Sequence, residues 1–401
     1  LLASVAAIGT FFMPWQTPLA QAQITAVDSG MNNTIQTNGN TTNVYAQSFS
    51  GTTGLNRFKD FSVEQGNIAN MHFTDLNQSV TLNNLVNTVQ NQINIAGTVN
   101  AIRNNKIGGN LYFLSPGGMV ITGSGAVNAG ALTVMTPTED LMKKLTSPDK
   151  LIGEGYDVLA KNIPLNTNGT ISIHGKINAQ TGINLLAGKD ISITKDGSSS
   201  PMLRTGLVFD NVVNTAGEFV SASVKEGERM QIATDSQGNL VLTDASGNLT
   251  GDGSINIKAY ADSTNFSGYD PTIDFLSLGD TAANATVNIG EGAEIDALGK
   301  ASISSEAKYD KTINATLNFL NNMNFNILRS DTFSNTTVDG KVSGSQVDIT
   351  SKASSTTNLA NESDIIDLVK KELGEVVLDK IIGTAKTDML KNILSHQIRA
   401  T

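Results

Sequence analysis

Hydrophobic and polar residues alternate in short runs along most of this chain. Between Gln23 and Thr136, runs rich in Val, Ile, Leu and Phe are separated by Gly- and Asn-rich links such as Asn38-Gly39-Asn40. Period-two alternation places successive side chains on opposite faces of a strand, and Gly and Asn are typical of turns. The pattern predicts short strands over Ile24–Val27, Val44–Phe49, Phe58–Val63, Ile68–Phe73, Val80–Leu85, Ile93–Val99, Leu111–Leu114, Met119–Thr122 and Leu132–Met135.

A short template recurs from residue 97 onward and continues through residues 166–360. Gly97-Thr98-Val99-Asn100-Ala101, Gly125-Ala126-Val127-Asn128-Ala129 and Gly175-Lys176-Ile177-Asn178-Ala179 are three copies. Strand-turn-strand units recur about every 20 residues, a spacing that is typical of stacked coils. An antiparallel sandwich would need hairpin turns, whereas many links here look like shallow corners. We therefore expect an all-β chain that forms a parallel β-helix, with Val and Ile inside and Asn, Ser, Asp and Thr outside.

Residues 137–165 interrupt the strand pattern. Thr136-Pro137-Thr138-Glu139 has the N-cap, the N1 proline and the N3 glutamate of a capping box, and Leu141, Met142 and Leu145 follow at helical spacing. This segment is predicted to contain a short helix, with a surface loop as the alternative.

Two later segments also depart from the template. Residues 206–250 contain Asp235-Ser236-Gln237-Gly238 and Asp244-Ala245-Ser246-Gly247, which are typical of antiparallel hairpin tips and predict an excursion outside the β-helix. Residues 361–401 carry apolar side chains at three- and four-residue steps, beginning with Ile365 and Val369. This spacing predicts an amphipathic helix or helix pair, which we expect to pack on protein rather than to enter a membrane.

Residues 1–22 are similar to a signal peptide. Leu1 to Phe12 is an apolar run, and Ala20-Gln21-Ala22 is a small-residue cleavage pattern before Gln23. No basic stretch precedes the apolar run, so we expect a signal peptide that is truncated at its start. A buried N-terminal strand is the alternative.

Composition narrows the classes of partner. The net charge of −10 and the absence of a basic patch argue against nucleic acid, whose phosphates attract positively charged surfaces. Cysteine is absent, which excludes disulfides, thiol nucleophiles and thiolate metal sites.

Enzyme signatures are weak. The three histidines, His72, His174 and His396, are far apart and have no metal-ligand spacing, so we expect surface or corner positions for them and neither a metal nor a cofactor. No nucleophile elbow, phosphate-binding loop or dinucleotide fingerprint occurs. Some β-helical enzymes act on polysaccharides through carboxylates gathered on one face. The carboxylates that could serve this alternative are Asp270, Asp274, Asp296 and Asp348.

One motif resembles a known family. The stretch from Asn56 to Gly66, with Phe58, Phe61 and Val63, is similar to the N-x-F-x-x-F-x-V-x-x-G sequence of two-partner secretion domains in filamentous haemagglutinin-like proteins. Downstream, a strand leads into Ser115-Pro116-Gly117-Gly118, where the family has Asn-Pro-Asn-Gly. With this departure, the chain looks closest to the leukotoxin-type filamentous adhesins.

The resemblance implies a right-handed β-helix whose N-terminal cap occupies residues 23–136. It also implies recognition by an outer-membrane TpsB-type transporter with POTRA domains, and folding after export to the surface of a diderm bacterium. The expected product is an adhesin that binds a host-cell or surface receptor, with a cytotoxin as an alternative. The residues that match the family motifs, for which purely structural roles are an equal alternative, are Asn56, Phe58, Phe61, Val63, Gly66, Ser115, Pro116, Gly117 and Gly118.

Overall fold

The chain is an all-β protein built on one large, mostly parallel sheet. The computed structural model describes residues 22–238, 240–244, 247–262, 276–311, 325–357 and 396–400. The first strands are β1 (Gln23–Ala26), β2 (Ile35–Asn38), β3 (Thr41–Ala46), β4 (Ser48–Ser50), β5 (Thr53–Val63), β6 (Ile68–Asp75), β7 (Asn84–Val89), β8 (Ile93–Ile95), β9 (Thr98–Arg103), β10 (Lys106–Ile107), β11 (Asn110–Leu114), β12 (Gly118–Ile121) and β13 (Ala126–Met135).

The remaining elements follow a short helical interruption. This interruption holds helix α1 (Glu139–Lys144) and a 3-10 turn (Pro148–Lys150), and another 3-10 turn (Ser29–Thr34) precedes β2. The later strands are β14 (Ile152–Gly153), β15 (Tyr156–Asp157), β16 (Thr170–Ile173), β17 (Lys176–Ala187), β18 (Asp190–Ile193), β19 (Met202–Arg204), β20 (Leu207–Val213), β21 (Phe219–Arg229), β22 (Gln231–Thr234), β23 (Leu240–Asp244), β24 (Gly247–Thr250), β25 (Ser254–Asp262), β26 (Leu276–Ile289), β27 (Glu294–Asp296), β28 (Lys300–Lys311), β29 (Phe325–Val338), β30 (Lys341–Ser343), β31 (Gln346–Thr357) and β32 (His396–Ala400).

Parallel pairing arranges the described strands in three columns. Column A consists of β5, β7, β11, β13, β17, β25, β28 and β31. Column B consists of β5, β8, β12, β16, β18, β26, β29 and β32. Column C consists of β3, β6, β9, β13, β17, β19, β27 and β30. The long strands β13 and β17 each contribute their first half to column C and their second half to column A.

The chain visits these columns in a fixed order. From β9 in column C it continues to β11 in column A and β12 in column B, and it returns to column C at β13. Each passage adds a strand to every column, so equivalent side chains stack. In column B the completely buried stack is Val63, Ile95, Ile121, Ile173, Ile193 and Ile289. Burial of each such side chain stabilises the sheet by about 2 kcal/mol.

Antiparallel strands cover the first strand of each column. β1 and β4 both pair antiparallel with β5, which begins columns A and B, and β2 pairs antiparallel with β3, which begins column C. An uncovered strand edge presents free N–H and C=O groups to other chains. The N-terminal strands therefore close this end of the sheet.

Helix α1 begins two residues later than the capping-box pattern predicted. Its N-cap is Thr138, whose hydroxyl accepts from Leu141 N. Thr136 instead remains in the sheet, where its backbone N–H donates to Leu186 O and its hydroxyl accepts from Gly188 N at 2.9 Å. The sheet contacts of Thr136 displace the start of the helix.

The 137–165 segment covers the outer face of column A. Leu141, Leu145 and Val158 are buried against outward side chains of the column, such as Leu55 and Tyr112. These strands are therefore apolar on both faces, whereas strict alternation would leave one face polar.

The structure corrects three strands of the sequence prediction. Residues 93–99 are divided between β8 and β9, and residues 44–49 between β3 and β4. Residues 80–85 were predicted as a strand, but β7 is Asn84–Val89 and Leu82 is buried in the preceding loop. β7 includes the polar residue Asn87, whose side chain is fully buried. The polar Asn hid the strand from a pattern based on apolar residues.

The predicted hairpins after residue 206 are present. β20 pairs antiparallel with β21, and β22, β23 and β24 form a separate antiparallel sheet. Residues 1–21, which include Ala20 of the predicted signal peptide, lie outside the described residues, and Ala22 packs against the core. Most of the predicted C-terminal helix also lies outside them, but its last residues form strand β32, which pairs with β29, instead of a helix. In the described part of the chain, no helix is both long and apolar enough to span a bilayer.

Candidate functional site

Asn56, the first residue of the recognised motif, lies inside the sheet. It is fully buried, and its Oδ1 accepts a hydrogen bond from Gln47 N at 2.8 Å. Its Nδ2 donates to Asn87 Oδ1 at 2.9 Å, and Asn87 Nδ2 donates to Tyr112 O at 2.9 Å. The two amides link β5, β7 and β11. In the folded chain Asn56 is a structural residue that a partner cannot reach from outside.

The apolar motif residues belong to the core. Phe58, Phe61 and Val63 are almost completely buried, and Phe61 packs edge-on against Phe113 with ring centroids 5.0 Å apart. A three-residue spacing would place the two phenylalanines on opposite faces of a regular strand. The pairing of β1 with β5 shifts register between Asp60 and Phe58, and this bulge lets both rings face inward.

Gly66 forms an exposed turn after β5. Its φ of +83° is a left-handed conformation that favours glycine, and its carbonyl accepts from Asn40 Nδ2 at 2.9 Å. Asn67 N donates to Glu64 O at 3.0 Å across the same turn. The glycine is therefore required by the backbone of this corner.

The Ser115–Gly118 segment forms a second turn. Gly118 N donates to Ser115 O at 2.9 Å, and the Ser115 hydroxyl donates to Asn91 O at 2.9 Å. Pro116 O accepts from Asn166 Nδ2 at 3.0 Å, which ties the turn to the next passage of the chain. A Cβ on Gly118 would lie 1.7 Å from a backbone oxygen in β16, so no other residue fits without movement of that strand.

The two motif turns do not form one surface. Gly66 follows the column B segment of β5, whereas Gly117 precedes the column B strand β12. Both glycines are exposed, but Gly66 lies at the edge of column B where its strands end and Gly117 lies at the edge where they begin. A strand of four residues separates these ends by about 13 Å. The structure therefore does not bring the motif residues together as a compact recognition patch.

His72 and His174 have structural partners. His72 was expected at the surface or a corner, but it is largely buried, stacks on Tyr45 with centroids 4.6 Å apart, and contacts Asn43 Oδ1 through Nε2 at 3.0 Å. Burial lowers the pKa of His72 to about 4. His174 Nδ1 lies 2.8 Å from Thr194 O at a corner. Within the described ranges, no group of three potential metal ligands occurs.

The carboxylates considered for polysaccharide chemistry are engaged separately. Asp296 in β27 pairs with Arg229 at 2.7 Å, and Asp348 in β31 pairs with Lys300. These strands belong to different columns, C and A. Asp270 and Asp274 lie outside the described residues.

A ladder of side-chain amides was missed by the sequence prediction. Asn70, Asn100, Asn128 and Asn178 each donate to the amide oxygen of the preceding Asn, at 2.9–3.1 Å, and the first acceptor is Asn43. These four donors are at most 9% exposed, although the alternation predicted Asn outside. Their repetition at one position of the template was the signal for this ladder.

No family model matches the chain, and a search of curated proteins finds no match.

Proposed function

We propose that this chain is the N-terminal secretion domain, and the start of the rod, of an exported filamentous adhesin. In this proposal the three columns are the three faces of a right-handed parallel β-helix, and an outer-membrane two-partner transporter delivers the chain to the cell surface. The proposal joins the motif resemblance of Asn56–Gly66 to the architecture of the described strands.

The fixed order of the columns carries the proposal. A chain that passes from column C to A to B and back, and adds one parallel strand to each column, traces a coil. Connections between neighbouring parallel strands are right-handed in about 98% of cases, which supports the handedness. Eight strands at a spacing of about 4.8 Å give a rod roughly 34 Å long for this segment.

The buried motif residues determine when a transporter could read them. Asn56, Phe58 and Phe61 are inaccessible once the sheet has formed. A transporter that recognises these side chains must therefore meet the chain before it folds. The absence of cysteine is compatible with passage of an unfolded chain, because no disulfide can close a loop in the periplasm.

Secretion of matched variants tests this function. The chain, preceded by a complete signal peptide, would be expressed with and without a candidate two-partner transporter, and its release into the medium measured. We expect release to depend on the transporter. Asn56→Ala should reduce release, because the unfolded motif loses the side chain that the transporter reads.

Asn87→Ala provides the matched control. Asn87 lies in the same buried amide pair, so its removal orphans similar polar groups and destabilises the fold by a comparable amount, about 2–4 kcal/mol. If Asn56→Ala alone blocks release, Asn56 is a recognition residue. If both variants are released equally poorly, the motif asparagine acts through folding alone. Release that ignores the transporter would refute the two-partner route.

A further inference from the structure

A half-open polar cleft lies where column C passes into column A. Its floor is formed by the corners of successive passages, including Arg103, Asn110 and Gln180, and its other wall comes from the antiparallel strands β20 and β24. The volume is about 810 Å³. Small-molecule sites commonly occupy about 300–1,000 Å³, so the cleft can hold a ligand of several rings.

Gln180 lies in this cleft with unused hydrogen-bonding groups. It is only 9% exposed, and its side chain forms no hydrogen bond to any residue that the structure describes. Its Oε1 lies close to Gly108, which also lines the cleft. Neither polar atom of this side chain is sealed from solvent, so the carboxamide can bind a ligand that enters the cleft. Gln180 is therefore a candidate ligand-binding residue.

A second amide offers an unused acceptor nearby. Asn110 Nδ2 donates to Asn84 Oδ1 at 2.9 Å, but Asn110 Oδ1 receives no hydrogen bond from the described residues. The next strand of column A has Ala131 at this register position, so the amide row ends here. Amides both donate and accept, as sugar hydroxyl groups do.

Two cations line the same cleft. Arg103 is held in place by bonds from Nε to Leu82 O at 2.9 Å and from Nη2 to Asn83 Oδ1 at 2.8 Å. Lys106 is exposed and forms no ion pair with the described residues. Asp244 is the carboxylate among the lining residues. On a chain of net charge −10, this pair of cations marks a local site for a carboxylate.

We propose that this cleft binds a short acidic saccharide. The amides of Gln180 and Asn110 bind its hydroxyl groups, and Lys106 and Arg103 bind its carboxylate. The proposal deepens the proposed function, on which it rests for its biological setting, by giving the receptor class of a surface-displayed rod.

Calorimetric titration of the purified 401-residue chain tests the site. The probe is a hyaluronan tetrasaccharide, and the matched ligand is the same tetrasaccharide with its carboxylates reduced to alcohols. We expect the acidic form to bind about tenfold or more tightly than the reduced form, because a charged hydrogen bond is lost on reduction. Lys106→Ala should remove this preference, and Gln180→Met should lower the affinity for both ligands.

Lys59→Ala is the control, because Lys59 is an exposed lysine that does not line the cleft. Far-UV circular dichroism checks that each variant is folded. The proposed site would be refuted if Lys106→Ala and Gln180→Met left binding unchanged, or if neither saccharide bound. Either result would indicate that water, and not a saccharide, binds Gln180. Because this assay uses purified protein, its failure leaves transporter-dependent release unaffected, and failure of release leaves the titration unaffected.

Discussion

At the scale of single residues, buried amides and one buried imidazole are the polar groups on which the sheet depends. Asn128 connects the amides of Asn100 and Asn178, and it is only 9% exposed. Parallel strands in register place identical side chains about 4.8 Å apart, which suits a chain of amide hydrogen bonds. The repeated Asn of the template therefore forms a hydrogen-bonded ladder between successive strands.

Asn128→Leu should destabilise the chain by about 2–4 kcal/mol. The change leaves Asn100 without its donor and Asn178 without its acceptor, and each orphaned group costs about 1–3 kcal/mol. Asn256→Leu is the control, because Asn256 is exposed and ends a different amide row. Urea denaturation of both variants gives the free energies of unfolding. Equal losses in the two would show that the buried ladder adds no special stability.

His72 should make stability depend on pH in the acidic range. Its folded-state pKa is about 4 because of burial, below the usual value of 6.5, so the unfolded chain binds a proton first as pH falls. The contribution of neutral His72 to the free energy of unfolding is complete above pH 6.5. This contribution, up to about 3 kcal/mol, is lost as pH falls towards 4. His72→Phe keeps a ring against Tyr45 but does not titrate.

Urea denaturation at pH 7 and pH 4.5 would compare the two proteins. We expect wild type to lose more stability between these pH values than His72→Phe, since carboxylate titrations are common to both. Parallel losses would contradict the assignment of this pH dependence to His72.

At the scale of elements, periodicity predicted strands well where alternation was regular. The segment 68–73 lies within β6, and the hairpin tip at 235–238 joins β22 to β23, as their turn residues indicated. The prediction failed where polar side chains are buried by neighbouring strands. The predicted strand ended at Leu85 although β7 continues through the buried polar residue Asn87. The sheet contacts of Thr136 displace the start of α1. Such contacts come from distant parts of the chain, which local patterns do not contain.

The candidate site shows the same division. The motif resemblance singled out Gly66 and Gly118, and the left-handed backbone conformations of both favour glycine. The sequence did not reveal that Asn56 is buried, or that the two turns lie at opposite edges of column B, where its strands begin and end. Both facts depend on the register of the strands. The cleft beside Gln180 depends on contacts between the columns and a later hairpin, so no local motif marks it.

At the scale of the whole molecule, the proposed β-helix predicts that stability comes from repetition along one direction. If each passage stacks on the previous one, the total is approximately a sum over neighbouring passages. The interior changes along this direction, from phenylalanines such as Phe58 and Phe113 to hydroxyl groups such as Ser305 and Ser334, which lie 2.6 Å apart. Hydroxyl-lined passages bury less apolar surface and should contribute less to stability.

Spin-label distances test the parallel stacking on which the proposed β-helix depends. The chain has no cysteine, so labels on introduced cysteines report chosen positions alone. Asn94, Ser192 and Thr337 occupy equivalent positions of column B, with three strand spacings between the first two and five between the first and last. The Asn94→Cys/Ser192→Cys variant should give a backbone separation of about 14 Å, and the Asn94→Cys/Thr337→Cys variant one of about 24 Å. The length of the two labels adds to each measured distance. Separations that do not increase from the first pair to the second would contradict the parallel β-helix.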